Sequence, residues 1–260
     1  MKTQIFLSGK RTTALLIGLA LLSAVSGCGK TSQINDSAAV PANAPVSDSG
    51  TDAPADSSAD SEADSNTDAN GDTSIHVVAV GDNLVQQCIY QSAQAHSQDG
   101  TSYNFDYCYD NIKPLINGDL NIINQETLIC GDGFEVSGSN FNFNSPTELG
   151  DAVVGMGFNV ITMCNNHLLD KGESGLNSCL NYWDQKMQQY PDLLTCGVYR
   201  DYVDMQNIRT KEFNGKTVAF LSYTENTNGY SLPDNSELEI IYTSQEDLIQ
   251  QQIAAAKEIA

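Results

Sequence analysis

Three apolar runs constrain this chain more than any other feature: Ile75-His76-Val77-Val78-Ala79-Val80, Leu120-Asn121-Ile122-Ile123 and Phe158-Asn159-Val160-Ile161-Thr162-Met163-Cys164. They lie about 40 residues apart, and each stops abruptly at polar residues. Their β-branched content and continuity suit strands buried on both faces, as in a parallel sheet. The segments between them read as helices, near Leu84 to Ala95 and Tyr107 to Asn117. Ser145-Pro146-Thr147-Glu148 predicts a further helix start, with Ser145 as N-cap, Pro146 at the first position and Glu148 closing a capping box, the helix ending at Gly157. Leu176, Leu180, Trp183 and Met187 fall at helical spacing and are expected to pack into the core. Leu193 to Val198 is a fourth strand, and Asn214-Gly215 between two apolar runs predicts a two-residue hairpin. Alternating strand and helix implies an α/β fold, or a layered α+β one, with right-handed crossovers.

Composition divides the chain ahead of these runs. Lys2, Lys10 and Arg11 precede the short apolar stretch Ala14 to Leu22, which predicts a cleaved secretory leader over residues 1–27. The stretch is shorter than the roughly 20 apolar residues that cross a hydrocarbon core. It ends in Val25-Ser26-Gly27-Cys28, similar to the lipobox of bacterial lipoproteins, so Cys28 is expected to carry lipid and hold the protein to the outer face of a membrane. Residues 28–74 are rich in Ser, Asp and Ala and contain no aromatic side chain. Such a segment cannot bury enough apolar surface to offset chain entropy, and it reads as a disordered acidic tether. Residues 75–260 form the folding unit, with 24 acidic against eight basic side chains. A surface near −16 excludes binding to a phosphate backbone, so nucleic acid is not an expected partner. Six cysteines follow Cys28. An even number in an exported chain permits disulfides, whereas Cys130, Cys164 and Cys196 in apolar runs suit buried free thiols.

Chemistry is expected where the strands stop. Asp82, then Asn124 with Glu126, then Asn166 with His167, follow the three apolar runs directly. The ends of parallel strands share one edge of the sheet, where ligand crevices form. Taken singly, each cluster is as well explained by an ordinary turn; the weight lies in their coincidence at successive strand ends. Oxygen donors with one imidazole suit Mg, Mn, Ca, Fe or Zn better than a soft-metal centre.

Six ordered motifs carry a resemblance to a known family. They are Val80-Gly81-Asp82, Asn124-Gln125-Glu126-Thr127, Phe143 to Leu149, Gly157-Phe158-Asn159-Val160, Asn165-Asn166-His167-Leu168-Leu169-Asp170-Lys171-Gly172, and Asn214 to Thr224. In this order they resemble the CapA family, the poly-gamma-glutamate capsule synthesis proteins. The resemblance implies a calcineurin-like metallophosphoesterase fold, a two-sheet sandwich flanked by helices. It further implies Asp82, Asn124, Glu126 and Asn166 as metal ligands or their near neighbours, for a divalent ion of the Mn, Mg, Fe or Zn class. His167 would be a general acid or transition-state donor, with Asp170 orienting its imidazole. Departures are visible: Leu84 stands where phosphoesterases place a histidine, Asn and Glu replace two aspartates, and the chain has only three histidines. The chain ends at Ala260 within a helix opened by Ser244, so the domain is expected to be C-terminally truncated.

Three functions follow as expectations. The first is a membrane-anchored factor of capsule or poly-gamma-glutamate synthesis that handles an anionic surface polymer or meets its synthesis machinery. The second is a metal-dependent phosphoester or amide hydrolase. The third is a solute-binding lipoprotein, which shares the leader and tether but explains none of the strand-end residues.

Overall fold

The computed structural model describes residues 74–139 and 142–260. The expected leader, Cys28 and the tether as far as residue 73 lie outside the described residues.

Four strands form the central sheet: β1 (Val77–Asp82), β2 (Leu120–Asn124), and two short ones further along the chain, Val160–Thr162 and Leu194–Cys196. They lie side by side in that order, every pair parallel. Between the first two come α1 (Gln87–Ala95), α2 (Asp106–Tyr109) and a 3-10 turn over Lys113–Leu115. After β2 the chain makes a small antiparallel ribbon, β3 (Ser137–Ser139) with β4 (Asn142–Asn144), and then α3 (Thr147–Gly155). The third sheet strand, β5 (Val160–Thr162), leads into the long α4 (Gly172–Gln189) and the fourth, β6 (Leu194–Cys196). The remainder is β7 (Val198–Tyr199), α5 (Tyr202–Gln206), the hairpin β8 (Arg209–Phe213) and β9 (Lys216–Phe220), β10 (Glu239–Ile240) and α6 (Glu246–Ile259). β10 pairs antiparallel with β7. The expected α/β class with a parallel central sheet is borne out, and Asn214-Gly215 does turn the β8–β9 hairpin, with Asn214 at φ 51° and Gly215 at φ 74°.

Alternation along each strand assigns the two faces. Ile123 and Ile161 point to one side, where Val153 of α3 and Leu176, Leu180 and Trp183 of α4 close over them. Trp183 is fully buried, as its helical spacing implied. Leu120, Val160 and Leu194 point to the other side and meet Val218 and Phe220 of β9. The sheet is therefore covered by helices on one face and by the hairpin on the other. That double covering is why β2 and β5 read as apolar runs; β1, at the edge of the sheet, is only half-buried or exposed along its length, so the expected burial on both faces does not hold for it.

Several local expectations are corrected. α1 starts at Gln87, not Leu84, because the Asn83 N–H bonds to Asn124 O and prolongs the extended backbone beyond β1. The stretch from Tyr107 to Asn117 is not one helix; α2 and the 3-10 turn are separated just before Pro114, which lacks the N–H a continuing helix needs. Ser145 does not cap α3, whose N-cap is Pro146 without a side-chain bond. The Ser145 hydroxyl instead joins a buried chain, 2.8 Å from Tyr90 Oη and 2.5 Å from Thr127 Oγ1. Ser145→Ala is expected to cost about 2 kcal/mol in urea denaturation, because a buried hydroxyl loses its partner. Combined with Tyr90→Phe the cost should be less than additive; strict additivity in that double-mutant cycle would refute the buried coupling. All six cysteines among the described residues are free, with Cys130, Cys164, Cys179 and Cys196 buried. Burial pushes the Cys179 thiol up to about 11 and the Cys196 thiol to about 12, so these sulfurs are inert packing groups. No helix among the described residues is long and apolar enough to cross a membrane.

Candidate functional site

The C-terminal ends of β1, β2 and β5 deliver the candidate residues to one edge of the sheet. β1 and β2 pair in register up to Val80 with Ile123; the register then slips by one residue, and Asp82 stands opposite Asn124. Such a bulge re-aims a side chain at the end of a strand. Asn124 Nδ2 donates to Asp82 Oδ1 at 2.7 Å, and Asn124 Oδ1 accepts from Thr162 Oγ1 at 3.3 Å. The backbone beyond β2 is held by Gln125, whose N–H bonds to Thr162 O at 2.9 Å and whose Oε1 accepts from Asn83 Nδ2 at 2.8 Å. Glu126 is thereby fixed over the sheet edge, 8% exposed, within hydrogen-bond reach of the exposed Asp82.

The turn after β5 brings the imidazole. Asn165 folds inward, donating to Met163 O at 2.9 Å and Gln125 O at 3.1 Å, while its Oδ1 accepts the His167 N–H at 2.9 Å. His167 is buried, with Nε2 3.8 Å from Glu126 Oε1 and Nδ1 2.8 Å from Asp170 Oδ2. Asp170 Oδ2 also accepts the Phe143 N–H at 2.8 Å, and the Phe143 ring meets the imidazole edge-on at 4.8 Å. An acceptor carboxylate against Nδ1 fixes the proton there, which leaves Nε2 as the nitrogen facing Glu126. Asn166 is half-buried, and its Nδ2 donates to Asn228 Oδ1 at 3.2 Å. Asn228 Nδ2 lies 3.4 Å from His167 Nδ1.

The electrostatics of the cluster centre on Glu126. Burial pushes its carboxyl up to about 7, and the neighbouring Asp82 charge adds to the effect against the pull of His167. Two carboxylates this close carry negative charge that a proton or a cation would relieve.

Asp82, Asn124, Glu126, His167 and Asp170 are thus linked in one continuous cluster, and Asn166 joins it through Asn228. Among the described residues no three His, Cys, Asp or Glu side chains form a ready metal cluster. The groups that do come together are the carboxylates of Asp82 and Glu126, with the Asn124 amide and the His167 imidazole beside them. That set fits a hard cation with water completing its shell, and it fits a thiolate or multi-histidine centre poorly. Asn228 escaped the strand-end logic because it follows no apolar run. Its signal was the dipeptide Asn228-Gly229, which takes positive φ at both residues, 53° and 81°.

A family model described as bacterial capsule synthesis protein PGA_cap matches residues 76–260. A capsule biosynthesis protein CapA from Bacillus anthracis is 26% identical over 127 residues, which is 47% of this chain. The matched part spans 30% of that relative's length.

Proposed function

This chain belongs to the bacterial capsule synthesis protein family PGA_cap, and we propose that it serves capsule synthesis outside the membrane through a divalent cation held at the sheet edge. Asp82 and Glu126 would hold the ion, with Asn166 Oδ1 as a neutral oxygen donor and Asn124 keeping Asp82 in place. The observation that carries this reading is the meeting of Asp82, Glu126 and His167 from three separate strand ends, with Glu126 pushed up to about 7 by burial and by Asp82.

When bound, a hard divalent ion supplies Lewis acidity and a bridge to anionic groups. The second property matters here, since a domain near −16 repels a polyanion such as poly-gamma-glutamate unless a cation stands between them. Asp170 holds the Nδ1 proton of His167. Nε2 is then the atom that takes or gives a proton at the reacting group, and Phe143 and the buried surroundings limit water around it. The His167–Asp170 pair favours a second reading on the same site, hydrolysis of a phosphoester or amide bond, because a polymer-handling site without proton transfer has no use for an oriented imidazole.

Lipid attachment at Cys28 belongs to the same proposal, as the means by which the domain is kept at the cell surface. Replacing Cys28 by alanine is expected to release the protein from the membrane fraction; retention of that variant at the membrane would remove the anchor from the account. The function is tested by deleting the gene in its own bacterium and measuring surface polymer. Wild type is expected to restore the polymer, and Asp82→Asn and His167→Ala are expected to fail at equal protein levels. Unchanged polymer on deletion would refute the role in capsule synthesis, and full rescue by both variants would refute the site.

A further inference from the structure

We infer that Asn228 is a positioning residue of this site: one side chain meets both Asn166 and His167 and sets how the Asn166 amide and the imidazole are presented at the sheet edge. The inference rests on the reading of the site given above. Asn166 and His167 are consecutive, and Asn228 touches both, with its Oδ1 3.2 Å from Asn166 Nδ2 and its Nδ2 3.4 Å from His167 Nδ1. An amide binds a hard cation through oxygen, so its nitrogen must find an acceptor elsewhere. Asn228 is that acceptor for Asn166. Toward His167 the 3.4 Å approach is a packing contact and not a hydrogen bond, because Nδ1 gives its proton to Asp170 Oδ2 at 2.8 Å; the Asn228 amide lies against the ring and limits its rotation.

The loop that presents Asn228 is itself tightly bonded. Asn228 N–H donates to Asn226 Oδ1 at 3.0 Å, Thr227 Oγ1 donates to Tyr230 O at 2.6 Å, and Thr224 Oγ1 donates to Asn226 O at 2.8 Å. Within it Asn228 holds φ at 53°, a left-handed conformation that glycine adopts at lower cost. A residue needed only to make this turn would be improved by glycine. A residue needed for its side chain would not, and the two roles therefore separate in a single substitution.

In Asn228→Gly the melting temperature is expected to stay level or rise, while Mn2+ affinity falls ten- to a hundredfold, in line with loss of a group that orients a ligand. The second readout needs no metal. The chain has three histidines, so 15N-histidine labelling resolves His167 by NMR. Metal-free wild type at alkaline pH is expected to show distinct Nδ1 and Nε2 shifts for His167, and Asn228→Gly is expected to move them toward one another as the ring loses its fixed setting. Unchanged His167 shifts in Asn228→Gly would overturn the inference, as would unchanged Mn2+ affinity. If wild type takes up no Mn2+, the cation reading fails on its own, and the His167 spectrum alone decides the role of Asn228.

Discussion

Asp170→Ala is expected to lower folding stability by about 3 kcal/mol, since a buried carboxylate bonded to two donors is removed. Its side chain is wholly buried, and one oxygen, Oδ2, serves both the Phe143 N–H and His167 Nδ1 at 2.8 Å. The substitution therefore strips a charge-assisted partner from the β4 backbone and from the imidazole at once. Asp170→Asn should be milder, about 1–2 kcal/mol, because an amide oxygen still accepts one of the two bonds. It nevertheless removes the negative charge that fixes the Nδ1 proton, so it should retain the fold and lose whatever reaction His167 supports. Urea denaturation separates the two variants. A cost below about 1 kcal/mol for Asp170→Ala would mean the carboxylate is a bystander in the fold.

Glu126→Gln is expected to stabilise the metal-free protein at about pH 8 by 1–2 kcal/mol, a figure discounted for solvent screening of the site. Burial and the Asp82 charge raise the Glu126 carboxyl from 4.5 to about 7 in the folded protein. Between those two values the folded state binds the proton and the unfolded state does not. This contribution to stability is thus complete below about pH 4.5 and declines as pH rises to about 7, above which it is gone. Glutamine carries no such penalty, so the two proteins should melt alike near pH 4.5 and diverge by several degrees at about pH 8. Saturating Mn2+ should stabilise wild type more than Glu126→Gln, by at least the ~1.4 kcal/mol that a tenfold weaker affinity removes. A Glu126→Gln protein that melts below wild type at alkaline pH without metal would show that the carboxylate is satisfied by contacts within the chain.

What could be read from the sequence follows the physics of burial. β2 and β5 were visible because strands covered on both faces are largely apolar, β1 because its valines form the same kind of run although it lies at the sheet edge, and Asp82, Glu126 and His167 were visible because they follow where those runs give way to polar residues. Ser145 was misread for a related reason. A serine ahead of Pro-Thr-Glu has the form of an N-cap, and only the arrival of Tyr90 and Thr127 from distant segments diverts its hydroxyl inward. The site is likewise completed by a contact the local pattern does not encode. Asn228 lies 61 residues beyond His167, in a turn whose Asn-Gly signature matches the hairpin at Asn214-Gly215. The dipeptide announces a left-handed turn in both places; only packing distinguishes the one that faces the imidazole from the one that faces solvent.

The cation-binding claim is tested most directly by titrating Mn2+ into wild type, Asp82→Asn and Glu126→Gln proteins, with free Mn2+ read by electron paramagnetic resonance. The expected result is saturable uptake of a single ion by wild type, displaced by excess Mg2+ and weakened at least tenfold in each variant. Equal uptake by all three proteins, or none by wild type, would contradict the assignment of Asp82 and Glu126 as the ion's carboxylates.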